Sequence, residues 1–278
     1  MIEETFMEEF LSRTSLYFSK QEIEKVRNTR FAIAGLGGVG AIVAELIARW
    51  GVYKIRLFDK DRYETSNLNR QIFATSKTLG QYKVDVATER IKEISPCTEV
   101  ELVIKERCTY ENVCSFLKGS DILIQTTDSP SSLLFYKVAR KFSIPLINGY
   151  SSPTGGCVCV YDYRTSSCYS LWEKIKDRLK WKGMKKLEEM SKDELDNLDE
   201  RWGHKISPTI NFVTNMVGCL VVAEAIKFIT KKGKITKYPY GIEFDLFNCS
   251  FKRKNLFSLL NISNYKKFVK ILKEKLRS

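Results

Sequence analysis

The stretch FAIAGLGGVGAIVAELIARWGVYKIRLFD, Phe31 to Asp59, decides the fold. Phe31 to Ala34 is a short apolar run that predicts a buried strand, and Gly35, Gly37 and Gly40 follow it as G-x-G-x-x-G. Ala41 to Trp50 predicts an apolar helix closed by Gly51, and Lys54 to Phe58 a second strand ending at an acid, Asp59. Strand, glycine turn, helix, strand and an acid about 20 residues on form the βαβ nucleotide fingerprint in its required context. The glycines let backbone N–H groups approach phosphate oxygens, and the helix N-terminus adds partial positive charge there. Asp59 is placed to accept hydrogen bonds from a ribose. The fingerprint specifies a nucleotide but not which one.

The surrounding chain bounds the answer. Its 278 residues can bury a full α/β core, and 44% hydrophobic with 28% charged content is ordinary for a globular protein. The N-terminus, MIEETFMEEF, is acidic and lacks the basic-then-apolar order of a secretion signal. No apolar run reads as long enough to span a bilayer, so no membrane partner is expected and the chain reads as cytoplasmic. The cysteines at 97, 108, 114, 157, 159, 168, 219 and 249 form no C-x-x-C pair, so they carry no structural zinc signature and read mostly as small buried hydrophobes. The formal charge of +13 biases the protein toward an anionic partner without naming one.

Along the chain, residues 1–30 read as a helical lead-in that includes Arg13. KDRYETSNLNRQIF (60–73) is a polar loop without apolar period, so packing does not explain its residue types. Gly80 to Ser95 predicts a helix, with Val84, Ala87, Ile91 and Ile94 at helical spacing and Pro96 after it. Strands are expected at Val100–Ile104, Asp121–Gln125 and Pro145–Ile147, with helices at Tyr110–Leu117 and Ser131–Phe142. That alternation predicts a Rossmann-like, doubly wound, mostly parallel α/β sheet with ligands at the carboxyl ends of its strands.

After Asn148 the pattern changes. Cys157–Tyr163 reads as a strand of a different, antiparallel layer, and Lys174–Arg201 as an exposed helical or mobile crossover. Thr209–Ile229 reads as a long buried helix, and Gly241–Phe247 as a further strand. The domain plan is therefore a lead-in (1–30), an α/β domain (31–249, crossover about 165–206) and a basic amphipathic helix (250–278).

Asn67, Arg70, Gln71 and Lys83, followed by Asp128 after DILIQT, choose between nucleotides. In a doubly wound sheet their loops converge over the glycine turn. Two cations beside backbone-held phosphates and a carboxylate for magnesium suit a triphosphate better than a dinucleotide. Asp128 is the candidate magnesium ligand.

GLGGVG, FDKDRYETSNLNRQIF, LGQYKVDVATERI and TTDS together resemble the ubiquitin-activating-enzyme-like adenylyltransferases, the superfamily of ThiF, MoeB and HesA. The resemblance runs from Thr29 to Tyr163 and resumes at Val217–Ile229. It implies that Gly35, Gly37, Gly38 and Gly40 cradle the ATP phosphates and that Asp59 binds ribose. It further implies that Asn67, Arg70, Gln71 and Lys83 hold the polyphosphate and that Asp128 binds Mg2+. Arg70, Lys83 and Asp128 would then serve an attack by a substrate carboxylate on the α-phosphorus. Family members also receive an arginine from the N-terminal helix of a partner subunit, which makes Arg13 the candidate and a homodimer the expected assembly.

The departures from the family matter too. Sulfur-carrier members hold zinc through two C-x-x-C pairs, whereas Leu171 stands where the partner of Cys168 should be. His204 stands near the usual position of the conjugating cysteine. DSPSSLLFYKVARKFSIPLINGY and SPTINFVTNMVGCLVVAEAIKFI are most similar to the microcin C (MccB-type) branch, which implies a peptide substrate in the maturation of ribosomal peptides. That branch tends to carry an N-terminal peptide clamp; the lead-in here is too short for one, so a leader peptide would use another surface. The alternatives are a tRNA threonylcarbamoyladenosine dehydratase, which the positive charge suits, a sulfur-carrier activator, and a non-catalytic nucleotide-binding scaffold. NAD-dependent oxidoreduction ranks last, because no hydride-transfer acid or base stands beside the shared fingerprint.

Overall fold

The computed structural model describes residues 2–127, 130–165, 185–202 and 208–256. Eight strands form one sheet in the order β3-β2-β1-β4-β5-β6-β7-β8. They are β1 (Phe31–Ala34), β2 (Lys54–Phe58), β3 (Glu99–Ile104), β4 (Ile122–Gln125), β5 (Leu146–Ser151), β6 (Gly155–Tyr161), β7 (Tyr240–Asp245) and β8 (Ser250–Asn255). The first five pair in parallel and the last three add antiparallel. This is the expected mostly parallel sheet continued by antiparallel strands. Chain order reverses between β1 and β4, so the crevice at their carboxyl ends is the topological switch point.

The helices are α1 (Ile2–Phe10), α2 (Lys20–Arg27), α3 (Gly38–Ala48), α4 (Lys83–Ile94), α5 (Tyr110–Leu117), α6 (Leu133–Lys141), α7 (Lys192–Trp202) and α8 (Asn211–Thr230). α3, α4 and α8 cover one face over Phe31, Ile33, Leu57, Ile124 and Ile147. α5, α6 and α7 cover the other over Ala32, Ala34, Phe58, Leu123 and Leu146. Both faces of the parallel strands are thus buried, which is why those strands read as continuous apolar runs.

Several elements differ from the sequence reading. α4 begins at Lys83 rather than Gly80, because Gly80 is left-handed (φ +78°) and cannot enter a right-handed helix. β6 belongs to the same sheet as β5, not to a separate layer; a three-residue turn folds it back so that Cys157 opposes Tyr150 and Cys159 opposes Asn148. The charged stretch read as an exposed crossover contains a docked helix, α7, with Leu195 and Leu198 buried. Ser250–Asn255, assigned to a C-terminal helix, is instead β8, paired along its length with β7. The helical expectation for the following residues, like those for Cys168, Leu171 and His204, lies outside the described residues.

α8 also corrects the expectation that no apolar run could span a bilayer. Its 20 residues are long and apolar enough by composition. Here it is the central core helix instead, with Val213, Val217, Val221, Ala225 and Ile226 buried. Its one fully buried acid, Glu224, pairs with Lys227 and accepts the Thr236 N–H at 3.0 Å. Two glycines permit its close approach: a Cβ on Gly218 would lie 1.8 Å from Ile42 Cγ2, and one on Gly149 would lie 2.4 Å from Val221 Cγ2.

Of the seven described cysteines, Cys108, Cys157 and Cys159 are buried and Cys219 and Cys249 exposed. Burial pushes the Cys157 thiol up to about 11, so it is protonated at neutral pH and a poor nucleophile.

Gly149→Ala is expected to destabilise the fold by about 1–3 kcal/mol through overpacking against α8. Urea unfolding with an unchanged midpoint would overturn the close packing of α8 on β5. Iodoacetamide at pH 8 should modify Cys219 and Cys249 in the native protein and spare Cys157; peptide mass spectrometry reads this directly.

Candidate nucleotide site

The glycine turn is built by backbone crowding. Gly35 takes φ +88°, and a Cβ on Gly40 would lie 1.8 Å from the Gly35 carbonyl oxygen. Only glycine fits at either position. Gly37 is the N-cap of α3 and Gly38 its first residue, so the first N–H groups of α3 face the crevice without intrahelical partners. Gly38 lies against Thr214 of α8, where a Cβ would meet Thr214 Cγ2 at 3.1 Å. On the β4 side, Thr126 closes the turn: its N–H bonds Ala34 O at 2.9 Å and its Oγ1 lies 3.0 Å from Gly35 O.

Asp59 stands at the end of β2, 9% exposed, and braces the turn. Its carboxylate accepts the Leu36 N–H at 2.6 Å and the Asp61 N–H at 2.9 Å. Burial raises its pKa above the ordinary carboxylate range, against the opposing pull of Lys83. A carboxylate offers about four lone-pair sites, so two remain for ribose hydroxyls.

Lys83 opens α4 and is buried at 6% exposure, with Nζ 3.0 Å from Asp61 Oδ2. It reaches this corner because the Lys83 N–H bonds the Asp61 carbonyl, pinning the start of α4 to the loop after β2. Gln71 is buried, with its amide nitrogen 3.9 Å from where a Gly37 Cβ would stand and its Oε1 lacking a hydrogen-bond partner. Asn67 is buried in the turn that leads to Gln71, its Oδ1 accepting the Glu64 N–H at 3.3 Å. Arg70 is half-buried, its Nη1 bonding Ser66 O at 2.5 Å and Asn69 Oδ1 at 3.0 Å.

The structure thus places Gly35, Gly37, Gly38, Gly40, Asp59 and Gln71 at one turn, with Lys83 beside Asp59. Arg70 and Asn67 sit in the loop that delivers Gln71. Arg13 is elsewhere: it is exposed between buried Leu11 and the short 3-10 turn Thr14–Leu16. That lead-in packs Met7 against Gly51 and Phe18 against Trp50, at the end of α3 remote from the glycine turn. Asp128 lies outside the described residues. Among the described residues no three His, Cys, Asp or Glu side chains cluster as a metal site.

Sequence reading missed Thr126, Tyr63, Thr214 and Asn215. Tyr63 is 2% exposed, with its hydroxyl unpartnered and its pKa raised by burial and by the Asp59 charge. Asn215 also holds an unpartnered buried oxygen, Oδ1. The available signal was two polar residues, Thr214 and Asn215, inside the otherwise apolar stretch Phe212–Ala223 of α8. Buried polar atoms left unpaired in the protein alone fit a polar ligand, as do the glycine cradle and the buried lysine. The donors that fit ATP phosphates are the turn's N–H groups and the Lys83 ammonium, while the amide oxygens of Gln71 and Asn215 can only accept.

A model of the ThiF family matches residues 11–261. The tRNA threonylcarbamoyladenosine dehydratase of Bacillus subtilis is 39% identical over 139 residues, 49% of this chain and 54% of that protein. The sulfur carrier protein adenylyltransferase of Thermus thermophilus is 29% identical over 143 residues, covering 51% of this chain and 52% of that protein. The chain thus spans about half the length of these relatives. Among solved structures, Escherichia coli MccB with ATP superposes with a TM-score of 0.70 at 20% identity, covering 88% of this chain and 71% of MccB. PaaA gives 0.69 at 20% identity over 91% of this chain and 74% of its own. These likenesses bear out the Rossmann-like fold.

The raised pKa of Asp59 fixes the sign of a pH effect. The folded state holds that proton more tightly than the unfolded chain, whose value is 3.8. Its contribution to stability is full below the unfolded value and is lost as pH rises through the folded one. Asp59→Asn should therefore flatten the decline of stability across that acid window in chemical denaturation; an unaltered profile would show Asp59 to be unperturbed.

Proposed function

The chain belongs to the ThiF family, and from that membership we propose that it is an ATP- and Mg2+-dependent adenylyltransferase acting on a carboxylate of a peptide. One observation carries the reading: a buried lysine, Lys83, beside a braced acid, Asp59, at the turn over which the unpaired Gln71 amide leans. A dinucleotide site has little use for a buried ammonium there; a polyphosphate does.

In this reading a carboxylate oxygen of the substrate bonds to the α-phosphorus as the bond to the bridging oxygen of pyrophosphate breaks, leaving an acyl adenylate. The chain's part is positioning and charge. N–H groups of the glycine turn and α3 hold phosphate oxygens, while Asp59 orients the ribose. Asn67, Arg70, Gln71 and Lys83 hold the polyphosphate, and Arg13 of a second copy would complete it in a homodimer. Asp128 would hold the metal ion, which when bound neutralises phosphate oxygen charge.

A substrate peptide would approach along the sheet beyond α6. There Gln125 and Asn148 are joined at 2.8 Å, and Tyr150, Cys157 and Glu243 form a separate cross-strand row two residues along β5. Tyr150 is 52% exposed while Cys157 beside it is buried, so Tyr150 is the member of this row that a peptide would meet. The peptide-complexed MccB structures support this class of substrate, since one holds MccB with MccA.

A second reading, tRNA modification, is favoured by the 39% identity to the Bacillus subtilis dehydratase and by the charge of +13. ATP–pyrophosphate exchange separates the two. Exchange stimulated by carboxylate-bearing peptides supports the first; ATP turnover stimulated only by bulk tRNA, and falling steeply with salt, supports the second. Asp128→Ala should lower peptide-dependent exchange about 100-fold or more while leaving the circular dichroism spectrum unchanged. Normal exchange by that variant would remove Asp128 from the metal role.

A further inference from the structure

The far end of α8 concentrates positive charge that the nucleotide crevice does not use. Lys231 caps the helix in the left-handed region (φ +61°), and KKGKITK (231–237) leads from it toward β7. Cations from the helix end, the segment after β6 and the approach to β7 meet over one buried ring, Phe228. Arg164 Cζ lies 4.5 Å from its centroid, Lys231 Nζ 4.4 Å and Lys237 Nζ 5.6 Å. The three charges therefore stand within about 10 Å of one another, about one Debye length in ordinary salt.

A single carboxylate answers them. Asp162, 3% exposed, accepts Lys237 Nζ at 2.8 Å and Arg164 Nε at 3.0 Å. Lys231 has no carboxylate partner among the described residues; its ammonium donates to the Phe228 carbonyl at 2.7 Å. Burial, and then the charges of Arg164 and Lys237, push that ammonium below its ordinary pKa. Last-turn carbonyls favour a cation at a helix end, which accounts for Lys231 but not for Arg164 and Lys237. The loop is also pinned. Lys227 Nζ bonds the Lys234 carbonyl at 3.0 Å, buried Glu224 accepts the Thr236 N–H at 3.0 Å, and Lys237 bridges to Val160. Like charges fixed at close range repel, and a bound anion relieves that repulsion.

The nucleotide of the crevice is not that anion. Thr214 touches Gly38 near the start of α8, and Lys231 follows the helix end, about 25 Å away by helical rise. Beside the cluster, Lys232 Nζ lies 4.2 Å from the Tyr17 ring centroid and bonds the Tyr17 carbonyl at 2.5 Å; that ring is 68% exposed. Closely set cations next to an exposed aromatic ring suit the phosphates and an unpaired base of a folded RNA. The formal charge of +13 adds long-range attraction. We infer that Arg164, Lys231 and Lys237, with Tyr17 beside them, form a binding surface for the phosphate backbone of structured RNA. The surface stands apart from the crevice, so the inference does not depend on what is adenylated.

Fluorescence anisotropy with labelled bulk tRNA, titrated at several salt concentrations, tests it. Lys231→Gln removes the cation that has no carboxylate partner, so no buried acid is left unpaired. It should weaken tRNA binding about five-fold at about 0.1 M salt and lower the log–log salt slope by about one. ATP affinity, read by calorimetry, should not change. Lys118→Gln removes the same charge at the end of α5, on the other face of the sheet, and should leave the salt slope as it was. Equal losses from the two variants, or no tRNA binding by the unaltered protein, overturn the inference. Tighter binding of labelled poly-glutamate or of phosphatidylserine vesicles than of tRNA, lost with Lys231→Gln, would assign the surface to another polyanion and overturn it too. If Lys231→Gln does not fold, Lys231→Gly suits the left-handed backbone and removes the same charge. Undiminished tRNA affinity in either folded variant overturns the inference. Failure of the unaltered protein to bind ATP would refute the nucleotide reading and leave the tRNA result standing.

Discussion

The constraint on which the molecule depends is the contact between the Gly35 carbonyl and the backbone of Gly40. A single Cβ at Gly40 would lie 1.8 Å from that oxygen, so β1 and α3 meet at a distance only two bare backbones allow. Everything at the switch point is referred to this contact. Asp59 ties β2 to it through the Leu36 N–H, Thr126 ties β4 to it through Gly35 O, and Thr214 brings α8 against Gly38. Three strands and two helices thus converge on one turn, and the first N–H groups of α3 are left facing the crevice. The anion site is a consequence of how tightly the core closes.

The same closure explains the electrostatics. Asp59 is spent on backbone N–H groups and buried enough to hold its proton more tightly than usual, while Lys83 is buried a few ångströms away on a different element. The protein does not neutralise this corner with a simple ion pair between them; Lys83 bonds the more exposed Asp61 instead. Unpaired oxygens on Tyr63, Gln71 and Asn215 add polar capacity in the elements around the glycine turn.

Much of this was legible in the sequence because it is local. The glycines, the strand before them, the helix after them and the acid at the end of β2 lie within 29 residues, Phe31 to Asp59, and their chemistry follows from spacing. What was not legible depends on partners brought together by the fold. Asp196 and Asp199 read as charges on a solvated helix because Arg107, which pairs with them, lies 92 residues from Asp199. Tyr63 read as a loop residue because nothing adjacent shows that it is buried. β6 read as a separate layer because its change in residue type marks antiparallel pairing, and composition does not say to which sheet a strand pairs. α8 was legible as a long buried helix from its apolar run; what was missed is that a run of this length and composition also matches a membrane span, a match its burial against neighbouring elements sets aside.

The last strand has a consequence for association. Among the described residues β8 is the outer strand of the sheet beside β7, and it carries Lys252, Arg253 and Lys254 in succession. Unpaired backbone at a sheet edge is a template for a second strand, and consecutive cations are a common defence against it. Two copies laid edge to edge here would set the cations of one strand near those of the other. Glu243 offsets only part of that charge, since it already serves Lys252 and Lys254. Continuous sheets across two molecules through this edge are thus disfavoured. An acidic extended segment would meet the opposite situation, an edge whose charge selects for it.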